Sequence, residues 1–246
     1  MVNILSFKLT WLGHGSFKLE TSTGKIIYLD PWIEGNPACP IKIADITQAD
    51  IVCVTHGHID HIGDSVKIVK KTGATFIGTP ELGFFARRNG IPEEGGELCT
   101  LNIGGSAIVR GIKIIMTNAV HTSDIMVSET EEEVGSGACG YILVIEDDVR
   151  VYFAGDTGVF GDMRLIADLY NPHLAIVPVG GKYNMGVREA AYAAFLLRPK
   201  FLIPMHYGTF PDQEADLKRL SELINALAPT IEIVILKPGN SYTYAQ

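Results

Sequence analysis

Short apolar runs separated by Gly, Ser and Thr dominate the first third of the chain. The alternation of apolar and polar positions predicts hairpin strands in FKLTWLG, SFKLET and KIIYLD. The uninterrupted run IVCV predicts a buried strand, and ATFIGT predicts another. Helical spacing predicts helices in DSVKIVKKTG, closed by Gly73, and in PELGFFARRNG, which has Pro80 near its start and Gly90 after its end.

The second part of the chain repeats this arrangement. Strands are predicted in GIKIIMTNAVH, GYILVIED, DVRVYFAGD, LAIVPVG, KFLIPMH and EIVILKPG, with a turn at Asp147-Asp148. Helices are predicted in DMRLIADLY, VREAAYAAFLLR and DQEADLKRLSELINAL. Strands and helices in both halves predict a layered α/β protein. We see no linker, so one domain over residues 1–246 is expected.

Composition narrows the class of protein. The net charge is −8, with 20 Lys and Arg against 28 Asp and Glu, and no basic run exceeds two residues. Nucleic acid is therefore an improbable partner, because neutralising phosphates needs clustered basic residues. No apolar stretch approaches a membrane span, and the first residues lack the pattern of a signal peptide. The expectation is a soluble, cytoplasmic protein with no membrane partner.

Two further features of composition affect the interpretation less. The four cysteines are scattered without a C-x-x-C pair, which argues against a disulfide framework. The acidic, Gly-rich stretch within residues 123–139 predicts a solvated loop, and a mobile lid is the sharper alternative. The oligomeric state stays open, with a homo-oligomer as one expectation.

The stretch VTHGHIDHIG holds four potential metal ligands within six residues. His56 and His58 follow the strand IVCV two positions apart, so both can face one side. Asp60 and His61 come next, near the start of a predicted helix. The alternative is a surface loop that happens to be rich in histidine and binds no metal. It is weak here, because three of the chain's seven histidines lie in this loop.

Three more metal-capable side chains stand where apolar runs stop. His121 follows IKIIMTNAV, Asp156 follows VYFAG and His206 follows FLIPM. Together with the loop they make seven ligands, whereas one structural zinc needs four and favours cysteine. The sequence therefore predicts a catalytic site for two metal ions with bound water.

The same residues resemble a known family. THGHIDH is similar to the H-x-H-x-D-H signature of the metallo-β-lactamase superfamily, and His121, GDT at 155–157 and HYG at 206–208 match its later motifs in order. The segments WLGHGSF, LDPWIEGNP, GDTGVFGDM and PMHYGTF further resemble small metal-dependent hydrolases related to the ascorbate-6-phosphate lactonase-like group. The resemblance runs from Trp11 to about Gly208.

The resemblance implies a four-layer αββα sandwich with the site at one edge of its two sheets. It assigns His56, His58 and His121 to one ion. It assigns Asp60, His61 and His206 to the other, with Asp156 bridging the two ions. Asp30, at the end of IIYLD, matches a position that supports the ligand loop through hydrogen bonds.

From this we expect a dinuclear metal-dependent hydrolase. A metal-bridging hydroxide would attack a small anionic ester, lactone or phosphodiester, with Asp60 and Asp156 at the reacting centre. Two divalent ions are expected, zinc or manganese first and iron as a further choice. A metal-dependent nuclease and a non-catalytic metal or ligand sensor are the alternatives.

Several other residues receive weaker interpretations. His14, between Gly13 and Gly15, is either a general acid or oxyanion donor beside the metals or a turn histidine. A predicted helix start suggests a substrate wall, with two basic neighbours as anion clamps. The wall residues are Asn184, Met185 and Gly186, and the clamps are Lys182 and Arg188. His173 and Tyr207 are expected to serve structure.

Overall fold

The computed structural model describes residues 5–126, 132, 133, 135 and 137–245. Its strands are β1 (Leu5–Trp11), β2 (Phe17–Thr21), β3 (Ile26–Leu29), β4 (Ile51–Cys53), β5 (Thr75–Gly78), β6 (Leu98–Thr100), β7 (Ser106–Val109), β8 (Ile112–Asn118), β9 (Ile125–Met126), β10 (Glu132–Glu133), β11 (Cys139–Val144), β12 (Arg150–Phe153), β13 (Leu174–Pro178), β14 (Phe201–Met205), β15 (Glu232–Ile233) and β16 (Ser241–Ala245). Its α-helices are α1 (Ile59–Ile62), α2 (Ser65–Thr72), α3 (Pro80–Arg88), α4 (Met163–Tyr170), α5 (Val187–Leu197) and α6 (Leu217–Leu227).

Fourteen of these strands form two seven-stranded sheets of matching design. The first sheet has the order β16-β1-β2-β3-β4-β5-β6, and the second has the order β15-β14-β13-β12-β11-β8-β7. In the first sheet the pairings from β16 to β3 are antiparallel and those from β3 to β6 are parallel. In the second sheet the pairings from β7 to β12 are antiparallel and those from β12 to β15 are parallel.

The period-two pattern of the strands sets the layers. Alternate residues of β1 (Phe7, Leu9 and Trp11) and of β8 (Ile112, Ile114 and Met116) meet in one core between the two sheets. The outer face of the first sheet packs on α2 and α3, and that of the second packs on α4, α5 and α6. The four-layer αββα architecture implied by the resemblance is therefore confirmed. Among the described residues, no helix has the length and apolarity to cross a membrane.

The signals that mark where helices begin and end act as the sequence predicts, except at the start of α6. Gly73 ends α2 in the left-handed conformation at φ 71°, and its N–H bonds the carbonyl of Val69. The predicted helix over residues 212–227 is shorter than expected, since α6 begins at Leu217. The reason is Asp216, whose carboxylate accepts a hydrogen bond from the Arg219 N–H and caps the helix there.

The end of the chain differs from the prediction. EIVILKPG is expected to be the last strand, but only Glu232–Ile233 is assigned as strand beside β14. The chain then turns, and β16 forms the outer strand beside β1. This pairing joins the two ends of the described chain. A local pattern of apolar residues cannot predict a partner so distant in the sequence.

The acidic stretch is described only in part. Ile125–Met126 pairs with Glu132–Glu133 in a short two-stranded ribbon. Residues 127–131, 134 and 136 of the stretch lie outside the described residues. The loop and lid interpretations of residues 123–139 therefore both stay predictions.

Candidate metal centre

The seven side chains predicted as ligands all meet at one edge of the two sheets. His56 and His58 follow β4, and Asp60 and His61 lie in α1, which begins directly after His58. The second sheet supplies three residues just beyond the ends of its strands: His121 after β8, Asp156 after β12 and His206 after β14.

His56, His58 and His121 form the first group of candidate ligands. One ring nitrogen from each lies within 4.8 Å of the others, and His56 Nε2 is 3.0 Å from His58 Nδ1. Burial is the largest cause that lowers the pKa of each of the three imidazoles. Neutral imidazoles carry free lone pairs, which is the form that binds a metal ion.

The second group of candidate ligands contains Asp60, His61 and His206, and the structure adds His14 to it. Asp60 Oδ2 lies 2.9 Å from His14 Nε2, 3.5 Å from His206 Nε2 and 3.8 Å from His61 Nε2. Burial acts to lower the pKa of His206, but Asp156 and Asp60 outweigh it and raise that pKa to about 9. The carboxylates likewise raise the pKa of His61 against the effect of its burial.

Asp156 stands between the two groups. Its Oδ2 is 3.0 Å from His206 Nε2 and 3.7 Å from His121 Nε2, and its Oδ1 is 3.5 Å from His61 Nε2. Burial alone would raise the pKa of this carboxyl, but His206 and His61 hold it well below its usual range. One anion therefore faces imidazoles of both groups.

Asp30 orients the ligand loop from beneath. Its Oδ1 accepts the Thr55 N–H at 2.7 Å, and its Oδ2 accepts the Thr55 hydroxyl at 2.6 Å. The same Oδ2 lies 2.7 Å from His61 Nδ1, while Thr55 Oγ1 lies 3.0 Å from His56 Nδ1. With protons on these two Nδ1 atoms, both histidines turn Nε2 toward the centre. The buried carboxylate of Asp30 thus bonds His61 of the second group directly and reaches His56 of the first group through Thr55.

Three residues of the site hold a left-handed backbone without being glycine. The φ angles are 55° at His14, 44° at Asp30 and 58° at His206. Such a conformation costs about 1–3 kcal/mol and persists only where the surroundings impose it. Here the His206 N–H bonds the His14 carbonyl at 3.1 Å. Two of the three residues with this unfavourable backbone, His14 and His206, are therefore bonded directly to each other.

His14 is fully buried beneath the site. Its Nε2 bonds Asp60, and its carbonyl also accepts the Trp11 indole N–H at 2.9 Å. Its ring lies against that of His206, with centroids 3.7 Å apart. Burial lowers the pKa of His14 to about 4. His14 does not line the cavity above the ligands, so in this structure it reaches the cavity through Asp60.

Gly15 allows His61 to come close to the turn that carries His14. A Cβ added at Gly15 would lie 2.7 Å from Cε1 of His61, closer than side chains approach one another. Gly155 serves the second sheet in the same way, with φ 61° and Thr55 Cβ 2.7 Å from where its own Cβ would be. The glycines of LGHGSF and GDT thus let these two motifs pack closely against the segment that carries Thr55 and His61.

Gly15→Ala is expected to weaken metal binding by about 10- to 100-fold, the usual cost of disturbing a group that orients a ligand. The added methyl must displace the His61 ring, which Asp30 holds. Metal titration of the apoprotein measures the change. Gly161→Ala is the control, since nothing lies within 4 Å of a Cβ there. Equal affinity in the two variants would contradict this account.

The other predicted residues fall in different places. Asn184 Nδ2 lies 3.4 Å from Asp156 Oδ1, beside the site. Lys182 instead pairs with Asp212. Neither Lys182 nor the exposed Arg188 lines the cavity. His173 precedes β13 at the opposite end of the sheet, where its Nδ1 accepts the Arg150 N–H at 3.1 Å.

Met185 and Tyr207 serve packing. Met185 is 2% exposed and belongs to the core beneath α5. Tyr207 packs its ring against Trp11, with centroids 5.2 Å apart.

Sequence reasoning missed the walls of the site. A cavity of about 390 Å³ opens above the candidate ligands and is lined by Trp32, His58, Ile59, Asp60, His121, Thr122, Asp156, Tyr183, His206, Phe210 and Gln213. Thr55, which links Asp30 to His56, was also missed. LDPWIEGNP and PMHYGTF contain Trp32 and Phe210, but nothing local in either segment indicates that the two rings meet.

The donor set fits divalent metal ions. Nε2 of His61 and of His206 are buried and face carboxylate oxygens at 3.0–3.8 Å without a hydrogen bond of ordinary geometry. Imidazole and carboxylate donors suit zinc, manganese and iron alike. A cation placed among these atoms would satisfy both the orphaned nitrogens and the carboxylates.

An αββα sandwich with this set of histidines and aspartates at the edge between its sheets defines the class of metallo-β-lactamase-fold hydrolases. A family model described as "Beta-lactamase superfamily domain" matches residues 8–206. The chain is 43% identical to a UPF0173 metal-dependent hydrolase of Methanopyrus kandleri, over 96% of this chain and 99% of that one. It is 39% identical to one of Koribacter versatilis, over 98% and 100%.

The chain belongs to the β-lactamase superfamily and, within it, to the UPF0173 family of metal-dependent hydrolases. Among solved structures, the novel metallo hydrolase Igni18 of Ignicoccus hospitalis is 34% identical, with a TM-score of 0.83. That alignment covers 97% of this chain and 98% of Igni18. The superfamily membership predicted from the motifs is confirmed, and the finer lactonase-like relation stays a prediction.

Proposed function

We propose that this protein is a dinuclear metal-dependent hydrolase of a small anionic ester, lactone or phosphodiester. One observation carries the proposal: two groups of ligand atoms lie side by side with the Asp156 carboxylate between them. His56, His58 and His121 would hold one ion, and Asp60, His61 and His206 the other. Two such ions supply an activated water and polarise the bond under attack.

The protein's own groups divide the remaining work. His58, Asp60, His121, Asp156 and His206 all line the cavity, so a substrate there contacts both groups of ligands. Asp60 is the more exposed carboxylate of the site, and we place it where it can hold or pass a proton at the reacting atoms. Asp30 and Thr55 hold the imidazoles in one orientation, so that the ligands need no rearrangement.

Metal analysis paired with an activity screen tests the proposal. Metal-replete protein is expected to hold two divalent ions per chain and to cleave members of a panel of carboxylic esters, lactones and phosphodiesters. Fewer than two ions per chain under replete conditions would contradict the dinuclear site. Two ions without turnover on any member of the panel would contradict the hydrolase.

His14 is expected to act as a positioning residue for Asp60. His14→Ala removes the donor to Asp60 Oδ2 and should lower kcat by about 10- to 100-fold. His14→Gln keeps an N–H donor at a similar reach and should restore part of that loss. Comparing kcat, KM and metal content of both variants checks this. Unchanged turnover of His14→Ala with both metals bound would rule out any role of His14 in the reaction.

A further inference from the structure

Four of the eleven described residues that line the cavity above the candidate ligands have large, mainly apolar side chains. Facing the ligand residues stand Trp32, Ile59, Tyr183 and Phe210. Ile59 and Tyr183 are 59% and 58% exposed, and Phe210 is 37% exposed. Large apolar side chains clustered at an open cavity mark a binding surface, because leaving them in water is unfavourable. We call these four residues the apolar wall.

Two members of the apolar wall, Trp32 and Phe210, are held in place relative to the ligands. The rings of Trp32 and Phe210 are stacked, with centroids 6.2 Å apart and planes 24° apart. Both rings also stand edge-on to His14, at 5.4 and 5.6 Å. Because His14 bonds Asp60, the aromatic pair and the carboxylate are held by the same imidazole. A group lying on the pair is therefore placed at a set position beside the ligands.

The distribution of charge around the cavity also favours a ligand that is mainly apolar. Among the described residues that line it, none is Lys or Arg, and its anions are Asp60 and Asp156. Lys182, next to Tyr183, pairs with Asp212 instead. The candidate ligands, once loaded with metal, are thus the place for one anionic group. A phosphorylated sugar brings a charged group and several hydroxyls, and the apolar wall offers them few partners.

Apart from the candidate ligands, two polar side chains in the described part of the chain line the cavity, Thr122 and Gln213, and the Thr122 hydroxyl lies 3.3 Å from His58 Nε2. Gln213 is 5% exposed, lines the cavity and leaves its Oε1 without a hydrogen-bond partner. A buried oxygen without a hydrogen-bond donor is unfavourable, because it has given up its bonds to water. Its place beside Phe210 makes it a contact for a single polar group on an otherwise apolar ligand.

We infer that the substrate carries an aromatic or acyl group next to the bond that is cut, and that this group lies on the apolar wall. The inference rests on the proposed function for the hydrolysis but not for the binding. One water balances the reaction: its hydroxyl goes to the acyl carbon or phosphorus, and its proton goes to the leaving oxygen. Specificity then comes from the apolar wall, while the candidate ligands hold the reacting group.

Calorimetric binding to zinc-loaded protein tests the inference without turnover. The probes are acetate, butyrate and hexanoate, which share a head group, and phenyl phosphate against glucose 6-phosphate. Each buried methylene should raise affinity by about fourfold, and phenyl phosphate should bind more tightly than the sugar phosphate. Phe210→Ala should reduce the gain in affinity from acetate to hexanoate.

Phe84→Ala is the matched control, because Phe84 is an aromatic that is 59% exposed and does not line the cavity. Affinity that is absent or flat along the carboxylate series would overturn the inference. So would a gain that survives Phe210→Ala, or one that both variants reduce equally. A retained gain together with failure of the whole ester panel would leave ligand binding by the apolar wall standing and would remove both the proposed function and the hydrolytic part of the inference.

Discussion

Replacing Asp156 with alanine is expected to abolish loading of two metal ions and to lower kcat/KM by roughly 10³-fold or more, since bound metal contributes several kcal/mol to the transition state. No other described carboxylate lies within reach of both His121 and His206. Without it, the two groups of ligands lose their shared anion.

The physical reason lies in charge as well as geometry. His61 and His206 have raised pKa values because of the carboxylates around them, Asp156 foremost among these. Removing that anion takes the nearest carboxylate from His206, at 3.0 Å, and one of the neighbouring carboxylates from His61. Both the affinity for the ions and the stability of the metal-free site should fall together.

Metal content by mass spectrometry and kcat/KM on the best ester of the panel measure this effect. Asp168→Ala is the control, because Asp168 is a half-exposed carboxylate of α4 that pairs with Arg198 on the surface. It should keep both ions and full activity. An Asp156→Ala protein that still binds two ions per chain would refute the bridging role.

Asp30→Ala is expected to lower the free energy of unfolding by about 3–5 kcal/mol, as when one partner of a buried ion pair is removed. The change strips acceptors from the Thr55 N–H, the Thr55 hydroxyl and His61 Nδ1, all of them buried. It also frees His61 and, through Thr55, His56 to turn away from the centre. Metal affinity should therefore drop along with stability.

Denaturant unfolding of the apoprotein and metal titration separate the two effects. Asp50→Ala is the matched control: Asp50 also bonds a backbone N–H, that of Ile26, and pairs with Lys25. It should lose some stability and bind both ions normally. Asp30→Asn keeps the size of the side chain, and its stability should lie between that of Asp30→Ala and that of Asp50→Ala. Normal metal affinity in Asp30→Ala would contradict the orienting role.

The sequence predicts much of this molecule because the relevant signals are local. Runs such as IVCV and LAIVP are apolar at every position, and they form strands buried on both faces. His56 and His58 follow IVCV, and each of the ligands from the second sheet follows a run that is mostly apolar. Strands β8, β12 and β14 run in the same direction, since two antiparallel pairings separate β8 from β12. Their carboxyl ends therefore lie at one edge of the sheet, and the meeting of His121, Asp156 and His206 follows from where these strands stop.

What the sequence could not predict depends on contacts between distant segments. From the sequence, His14 is either a general acid or oxyanion donor or a turn histidine, and only the packing of three motifs shows that it lies under Asp60. The stacking of Trp32 on Phe210 joins loops from different sheets. The pairing of Ser241–Ala245 with β1 is equally invisible to periodicity, since SYTYA alternates in a way that fits many partners.

That last pairing has a consequence for how the molecule is made. The ribosome makes β1 long before β16, its outer partner, because Thr10 and Ser241 are separated by 231 positions. Throughout synthesis the outer side of this strand shows unpaired backbone donors and acceptors, which invite association with other nascent chains. Contacts of such long separation also slow folding. Chaperone demand during translation should therefore centre on this first strand.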